Sequence, residues 1–468
     1  MKNRLILSCL CVIFATSFKN LKAQNMTENI QPPVAKKIPT KLEKFGDVRI
    51  DNYFWLKDRE NPEVIDYLNK ENEYYQKMTA HTQEFQKELF EEMKARIKED
   101  DESVPYLYNG YFYITRFEKG KDYPIYSRKK GSLSAKEEIM FDCNELAKGK
   151  KYFNLSGLSV SADNQFVTYA VDTVGRRIYT LRFKNLFTGE FLADKIENTT
   201  GNSTWANDNK TIFYTKQDAN TLRSDTVLKH ILGTETALDK LIYFEKDDTF
   251  DVAVGKEKSK KYILISSSST LTSEFRTLLA DKPEGKFTIF QKRKRGLEYN
   301  ISHYGDSFYI VTNKDKATNF KLMKTPELAT AMENWQDVLE HREDVLLEDI
   351  DIFKDFLVVS ERSNGLNKIR IMPWSGVGEY YLPFESETYT VHPTSNVDFD
   401  TDILRYAYQS MVTPASIIDF NMRTKDKVVK KEQEVLGGKF DKNNYIEERL
   451  WAKAKDGTIV PISVVYRK

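Results

Sequence analysis

Short apolar and aromatic runs alternate with polar turns from about Pro105 onward, and this pattern recurs seven times. The equivalent positions lie 54, 46, 50, 46, 48 and 47 residues apart, at Phe112, Phe166, Ile212, Tyr262, Phe308, Phe356 and Ile403. A repeat of short strands at this spacing is typical of a propeller blade, because a lone blade cannot bury both faces of its sheet and has to stack against neighbours. The pattern predicts an all-β, seven-bladed β-propeller over residues 98–440. An irregular β-rich domain is the alternative.

A helical segment rich in aromatic residues precedes the strands. Asn61 and Pro62 are typical of a helix start, with Asn as the cap and Pro at the first helical position. Apolar residues then recur at helical spacing in two runs, from Val64 to Met78 and from Phe85 to Ile97. Residues 45–97 are therefore predicted to form an N-terminal helical segment, and the polar residues 24–44 an extended arm.

The C-terminal residues 441–468 depart from the repeat. They predict a hairpin that turns at Asp456 and Gly457, and its second strand, Ile459 to Tyr466, is strongly apolar. A strand of that kind belongs inside a sheet, yet the chain stops two residues later. We therefore expect this hairpin to be the start of a further domain and the chain to be interrupted there.

The first 23 residues have the pattern of a secretory signal peptide. Lys2 and Arg4 precede an apolar run from Leu5 to Ala15, and Ala23 offers a cleavage site. The pattern predicts an exported protein, periplasmic or secreted. A lipoprotein signal is the alternative, although Cys9 and Cys11 lie inside the apolar run rather than after it. Cleavage would leave one cysteine, and hence no internal disulfide.

Composition limits the remaining function classes. The 468 residues are 40% hydrophobic and 13% aromatic, which excludes intrinsic disorder. The formal net charge is +1, so charge gives no reason to expect a nucleic acid or a membrane surface as partner. The sequence holds no G-x-S-x-G, H-E-x-x-H, Cys-x-x-Cys, P-loop or dinucleotide fingerprint, and its five histidines are scattered. It therefore predicts no cofactor and no metal site, and no catalytic or substrate-binding residue can be named.

Several long segments, in order, carry a resemblance to a known family. They are R-I-D-N-Y-F-W-L-K-D (49–58), M-K-A-R-I-K-E-D-D-E-S-V-P-Y (93–106), G-K-D-Y-P-I-Y (120–126), V-D-T-V-G-R-R-I-Y-T-L-R-F-K (171–184), T-W-A-N-D-N-K-T-I-F-Y-T (204–215) and S-T-L-T-S-E-F-R (269–276). With the closing segment from Glu448 to Lys468, these motifs resemble oligopeptidase B of the prolyl oligopeptidase family. The likeness covers essentially all of the sequence after the signal peptide.

The resemblance implies a serine peptidase of two domains that cleaves short peptides, here expected after Arg or Lys. In that family a propeller caps an α/β-hydrolase, restricts access to it, and leaves a Ser-Asp-His triad in the cavity between them. The helical segment 45–97 would then pack on the hydrolase, and residues 441–468 would form its first strands. The family's triad follows the segment matched here, so the chain is expected to be inactive alone.

Four charged residues are candidates for contacts within the propeller or between domains: Asp172, Arg176, Arg177 and Arg276. Ion pairing inside a blade is the alternative for each of them. The partner implied by the resemblance is a peptide substrate, and the sequence does not indicate an oligomeric state. Three alternatives to a fragment of such an enzyme stay open: a complete propeller that binds peptides or partner proteins, a subunit whose hydrolase is a separate chain, and a peptidase that cleaves after Pro.

Overall fold

The computed structural model describes residues 30–468, so the predicted signal peptide and the first part of the predicted arm lie outside the described residues. The chain divides into two compact units, one ending at Ile97 and the other running from Lys98 to Lys468. The first unit contains an antiparallel pair, β1 (Thr40–Lys44) and β2 (Asp47–Asp51), and two helices, α1 (Pro62–Thr79) and α2 (Gln83–Ala95). The Asn61 side chain accepts a hydrogen bond from the amide of Glu63, which confirms the predicted cap.

The second unit is a β-propeller built from antiparallel sheets whose strands follow one another in sequence. Sheet A contains β3 (Tyr106–Tyr108), β4 (Tyr111–Arg116), β5 (Ile125–Lys130) and β6 (Glu137–Asp142), followed by the short helix α3 (Cys143–Ala147). Sheet B contains seven strands: β7 (Asn154–Val160), β8 (Phe166–Asp172), β9 (Tyr179–Asn185), β10 (Phe191–Trp205), β11 (Thr211–Gln217), β12 (Ser224–Ile231) and β13 (Lys240–Phe244).

Four further sheets have four strands each. Sheet C is β14 (Asp251–Lys256), β15 (Tyr262–Ser269), β16 (Thr272–Leu279) and β17 (Thr288–Ile289), and sheet D is β18 (Tyr299–Tyr304), β19 (Ser307–Thr312), β20 (Lys321–Pro326) and β21 (Gln336–Leu339). Sheet E is β22 (Val345–Ile352), β23 (Phe356–Ser363), β24 (Leu366–Pro373) and β25 (Tyr380–Tyr381), and sheet F is β26 (Tyr389–Pro393), β27 (Ile403–Ser410), β28 (Ser416–Asn421) and β29 (Lys427–Glu432). A hairpin of β30 (Tyr445–Lys453) and β31 (Ile459–Arg467) follows.

The prediction of a seven-bladed propeller is wrong, because the described residues form five four-stranded blades and one seven-stranded sheet. Two of the predicted repeats share sheet B. The cause is β10, a strand of 15 residues that pairs with β9 through its first part and with β11 through its last part. The hydrogen-bonded ladder therefore runs on where the repeat predicted a break between two blades.

Buried apolar clusters join each sheet to the next one along the chain. Each cluster takes residues from both sheets, as Tyr113 and Tyr169 do for A and B, Phe213 and Ile263 for B and C, Leu264 and Phe308 for C and D, Leu322 and Leu357 for D and E, and Val358 and Leu404 for E and F. Burial of these side chains between sheets is what holds neighbouring blades together.

Polar contacts hold the seam between sheet F and sheet A. Arg405 donates two hydrogen bonds to the carboxylate of Asp419, at 2.6 and 2.8 Å, and a third to the carbonyl of Pro105 at 2.8 Å. Lys431 binds Asp101 at 2.7 Å. Each of the two sheets is built from its own consecutive strands, so ring closure at this seam rests on side-chain contacts and not on strand exchange.

The two ends of the propeller are distinguished by their turns. In a sheet of consecutive antiparallel strands, successive turns lie at alternate ends. The turns between the first and second strands, together with the β10–β11 turn of sheet B, meet one another around the ring, through contacts of Asn109 with Ala162, Asp163 with Asn209, Asn207 with Lys260, Tyr304 with Lys354, and Lys354 with Phe399. We call this the far end. The β23–β24 turn lies at the other end, which we call the hairpin end because β30 contacts it there.

Candidate functional site

The hairpin β30–β31 is fixed to the propeller by two charged side chains of β30. The carboxylate of Glu447 accepts hydrogen bonds from the hydroxyl of Thr388 at 3.2 Å and from the amide of Val412 at 3.3 Å. Arg449 donates to the carbonyl of Asn364. These contacts tie the hairpin to sheets E and F, and the predicted turn at Asp456 and Gly457 is confirmed, with Gly457 at a φ of +90°.

A cavity of about 500 Å³ lies between this hairpin and sheets E and F. Its lining is mixed, with Leu366, Tyr389, Met411 and Pro461 among polar residues and Arg449 at its edge. Volume and lining fit a small peptide segment. The cavity is open to solvent, and Arg449, Pro461 and Ser463 of the hairpin contribute to its lining.

The hairpin itself leaves large apolar side chains uncovered. Trp451 is 52% exposed, Ile459 54% and Leu450 48%. An apolar two-stranded ribbon with both its outer edges free is marginal in water and needs a partner surface. The prediction of a strongly apolar closing strand is thus confirmed, and the strand has few apolar neighbours within the described chain.

Helices α1 and α2 have the same property within their own unit. Val64 is their single buried side chain, whereas Tyr75 is 60% exposed, Phe85 64% and Phe90 58%. The helical spacing of these residues predicts one apolar face, and a face of this size on a soluble helix marks an interaction surface.

Asp172 and Arg177, two of the residues singled out from the sequence, lie in the same turn between β8 and β9. The Asp172 side chain is buried, and its two oxygens accept from the amides of Val174, Gly175 and Arg177 at 2.7 to 2.9 Å. Arg177 has a φ of +58°, and its carbonyl accepts from Gln217 on β11. Asp172 thus shapes a turn through backbone groups, while Arg176 is exposed in that turn. Their predicted role in contacts between domains stays a prediction.

Arg276 belongs to a different sheet and to a charged cluster that the sequence pattern did not indicate. It pairs with Glu274 at 2.6 Å and stacks on the ring of Tyr243 at 3.9 Å. Arg293 bridges Glu274 and Glu245, which are both 5% exposed. Burial alone would raise the pKa of Glu245, but hydrogen bonds from Arg293 and Tyr243 outweigh burial and lower it. The cluster joins sheets B and C, and nothing local in the sequence signals it.

The histidines do not gather into a metal site, and no group of three or more His, Cys, Asp or Glu suited to a metal occurs in the described part of the chain. Ser259, His303 and Glu327 lie in the serine–histidine–carboxylate order of a hydrolytic triad. The Nδ1 of His303 lies 3.1 Å from the Oγ of Ser259, and its Nε2 lies 2.9 Å from Glu327. However, Glu327 also binds Lys261 and Tyr262, and the ring is buried between Tyr262 and Phe308. This group therefore anchors the turn that carries Ser259, and we do not assign it to catalysis.

None of the helices between residues 30 and 468 is both long enough and apolar enough to cross a membrane. Cys143 is buried, and burial raises the pKa of its thiol to about 12, so it is an unreactive thiol.

Comparison with known proteins identifies relatives of peptidase type. A dipeptidyl aminopeptidase BI of Pseudoxanthomonas mexicana is 40% identical, over 100% of this chain and 66% of the relative. Protease 2 of Moraxella lacunata is 34% identical, over 93% of this chain and 63% of the relative. The chain thus spans somewhat less than two thirds of the length of these curated relatives.

Solved structures agree with the sequence relatives. Oligopeptidase B from Leishmania major superposes with a TM-score of 0.86 and 31% identity, covering 94% of this chain and 65% of that one. Oligopeptidase B from Trypanosoma brucei, solved with covalently bound antipain in a closed form, gives a TM-score of 0.85 and 30% identity, covering 93% and 65%. The resemblance to oligopeptidase B is thus confirmed. Residues 32–433 match the prolyl oligopeptidase N-terminal β-propeller domain, and the chain belongs to that family.

Proposed function

We propose that this chain is the propeller part of a serine endopeptidase of the oligopeptidase B type, which cleaves short peptides after Arg or Lys. The observation that carries the proposal is the TM-score of 0.86 with an oligopeptidase B over 94% of the chain. In this proposal the propeller restricts access to the reacting peptide bond. The protein acts outside the cytoplasm, as the apolar run from Leu5 to Ala15 behind two basic residues suggests.

Hydrolysis in this proposal needs a serine-hydrolase domain that binds at the hairpin. The uncovered side chains of Trp451 and Ile459 support this, since they offer an apolar ribbon to which further strands can add. The apolar face of α1 and α2, with Phe85 and Phe90, offers a second surface for such a domain. The 468 residues by themselves are then expected to hydrolyse no peptide.

Removal of dipeptides from a free amino terminus is a second candidate activity. The relative named as a dipeptidyl aminopeptidase, at 40% identity over the whole chain, favours it. The two activities differ in what the amino terminus of the substrate must present: an endopeptidase accepts a blocked terminus, and a dipeptidyl aminopeptidase does not. Cleavage after Pro and a propeller that only binds its partner are the further outcomes that the test must separate.

The test uses native protein captured from its source cells with an antibody against the propeller. Three fluorogenic substrates are compared: a blocked Arg-Arg amide, a blocked Gly-Pro amide and a Gly-Arg amide with a free amino terminus. Turnover of the blocked Arg-Arg substrate is expected. Turnover of only the Gly-Arg substrate with a free amino terminus would establish the dipeptidyl activity. Turnover of only the blocked Gly-Pro substrate would establish cleavage after Pro. A protein that cleaves none of the three would be a binding propeller.

Two controls address the location of the nucleophile. The recombinant 468-residue chain is expected to be inactive, and its Ser259→Ala variant should match it in its lack of turnover. Turnover by the recombinant chain that is lost in Ser259→Ala would contradict the proposal, because it would place the nucleophile beside His303.

A further inference from the structure

The turn between β14 and β15, residues 257–261, contacts a sheet that is not its neighbour. The Nζ of Lys258 lies 2.7 Å from the Oδ1 of Asp351, which belongs to β22 of sheet E. Sheet D stands between sheets C and E in the order of the ring. A side chain of sheet C can bypass sheet D in this way only on the inner side of the ring, where the first strands face the central channel.

The same turn also reaches past its neighbour in the opposite direction. The Nζ of Lys260 lies 5.1 Å from the ring centre of Tyr108, on the first strand of sheet A, although the seven-stranded sheet B separates A from C. The carbonyl of Lys260 also accepts a hydrogen bond from Asn207 in sheet B at 3.0 Å. Contacts that skip a neighbour on both sides place this turn across the channel.

The turn is held in place by sheet D. The carboxylate of Glu257 accepts from the amide of His303 at 2.8 Å, and Ser259 pairs with the ring of His303 at 3.1 Å. Lys261 binds Glu327 at 2.5 Å. Three consecutive odd positions of the turn are thus anchored to sheet D, while Lys258 and Lys260 between them extend to sheets E and A.

The opposite wall accommodates the lysine charge. The Lys258 ammonium lies 3.7 Å from the ring centre of Phe353, and its side chain is 19% exposed, with Asp351 at 24%. Burial raises the pKa of Asp351 and lowers that of Lys258, and each partner opposes that shift in the other. A partly buried ion pair of this kind favours one geometry, because either charge left alone would be poorly solvated.

We propose that residues 257–261 form a plug that closes the far end of the propeller channel, with the Lys258–Asp351 ion pair as its latch. A molecule that enters the channel then does so at the hairpin end, beside β30 and β31. The proposal rests on the proposed function only in taking that molecule to be a peptide. The position of the plug stands on the contacts of Lys258 and Lys260 whether or not the protein is a peptidase.

The first experiment tests whether the turn crosses the channel. Lys258→Cys and Asp351→Cys are combined in the 468-residue chain, in a background with Cys9→Ser and Cys11→Ser, and treated with a short bismaleimide. Buried Cys143 does not react, because burial raises the pKa of its thiol to about 12. An intrachain crosslink is expected, seen as altered mobility on a denaturing gel and confirmed by mass spectrometry of the joined peptides.

The matched control joins Lys258→Cys to Val377→Cys, a 77% exposed position at the outer edge of the same sheet E. It should give no crosslink. The variant that combines Lys260→Cys with Tyr108→Cys tests the contact between Lys260 and Tyr108 independently. It is also needed if loss of the Lys258–Asp351 ion pair unfolds the first variant. Circular dichroism shows whether each variant is folded. Two folded pairs that fail to crosslink would overturn the plug.

The second experiment tests the direction of access in the active protein. Lys258→Cys and Asp351→Cys are introduced into the native protein in its source cells, where their crosslink locks the plug, and peptide turnover of the captured protein is expected to stay unchanged. A loss of turnover on locking would place the entrance at the far end and overturn the proposal. If the protein cleaves no peptide, the proposed function fails, but the crosslinks still decide whether the plug exists.

Discussion

The imidazole Nδ1 of His230 lies 2.7 Å from the Oδ1 of Asp239. The other ring nitrogen faces Asp194 at 3.0 Å, and the three side chains are 0%, 2% and 8% exposed for His230, Asp239 and Asp194. Asp239 also accepts from the hydroxyl of Tyr214 at 2.8 Å. The group spans sheet B, because Asp194 lies on β10 and His230 on β12. It is therefore a polar clamp within the one sheet that unites two repeats.

His230→Ala should destabilise the protein by about 1–3 kcal/mol, because each of two buried carboxylates loses a hydrogen-bond partner. Urea unfolding followed by tryptophan fluorescence measures the loss of stability. Trp205 provides a local signal, because it packs in the same buried apolar cluster as Tyr214. His392→Ala is the control, since His392 is exposed on β26 and its loss should cost less than about 0.5 kcal/mol. Equal midpoints for the two variants would contradict a structural role for the clamp.

The repeats could be predicted from the sequence because each one buries its own apolar strand. All seven equivalent positions, from Phe112 to Ile403, lie in the first two residues of a strand. The merging of two repeats could not be predicted. The run N-T-T-G-N-S at residues 198–203 has the composition of a turn, yet β10 passes through it with positive φ at Asn198 and Gly201 and a shift in register. Whether such a segment turns or bulges depends on the strands beside it, which no local pattern contains.

The contacts of the candidate residues could likewise not be predicted from the local sequence. The sequence places Asp172 close to two arginines, but its carboxylate accepts hydrogen bonds from backbone amides of its own turn. The cluster around Arg293 joins residues 48 positions apart, and the Lys258–Asp351 pair joins residues 93 apart. Pairs like these depend on how the sheets are arranged around the ring, so sequence reasoning alone could find neither.

Glu257 should make the protein less stable as the pH rises. Burial raises the pKa of its carboxyl from 4.5 to about 7 in the folded chain. A carboxyl whose pKa is raised by folding stabilises the folded state fully at pH values below its pKa in the unfolded chain. This contribution is lost as the pH rises through its pKa in the folded chain. The Glu257→Gln protein should therefore be more stable to unfolding than the parent by up to about 3 kcal/mol at pH 8 and by little at pH 4. This magnitude follows from about 1.36 kcal/mol per pKa unit.

The measurement compares urea midpoints of the parent and Glu257→Gln between pH 4 and pH 8. His303, Glu327 and Lys261 pack around the same turn in both proteins, so the difference between the two curves isolates Glu257. Glu118→Gln, at an exposed position in the turn between β4 and β5, serves as the control. Parallel curves for the parent and Glu257→Gln would show that this carboxyl is ionised in the folded chain.

Arg405 should matter more to stability than an ordinary surface arginine, because it closes the seam between sheets F and A. Arg405→Met leaves Asp419 and the Pro105 carbonyl without their donor, at a cost of about 2 kcal/mol. Arg362→Met is the matched control, as Arg362 is 48% exposed in its pair with Glu348 and should cost less than about 1 kcal/mol. Equal shifts of the urea midpoint would indicate that the seam does not depend on this arginine.

Gly157 should tolerate no side chain, because two bulged strands of sheet B approach closely there. It has a φ of +62°, and a Cβ at this position would lie 2.1 Å from the carbonyl oxygen of Gly201 on β10. Backbone atoms cannot yield as a flexible side chain can, so Gly157→Ala should cost at least about 3 kcal/mol through overpacking and the left-handed backbone together. Gly255→Ala is the control: Gly255 lies in β14 with open space around its Cβ and no positive φ, and its midpoint should move little or rise. A Gly157→Ala protein that unfolds at the parent's urea midpoint would mean that β7 and β10 separate here at little cost, and that their close approach does not stabilise sheet B.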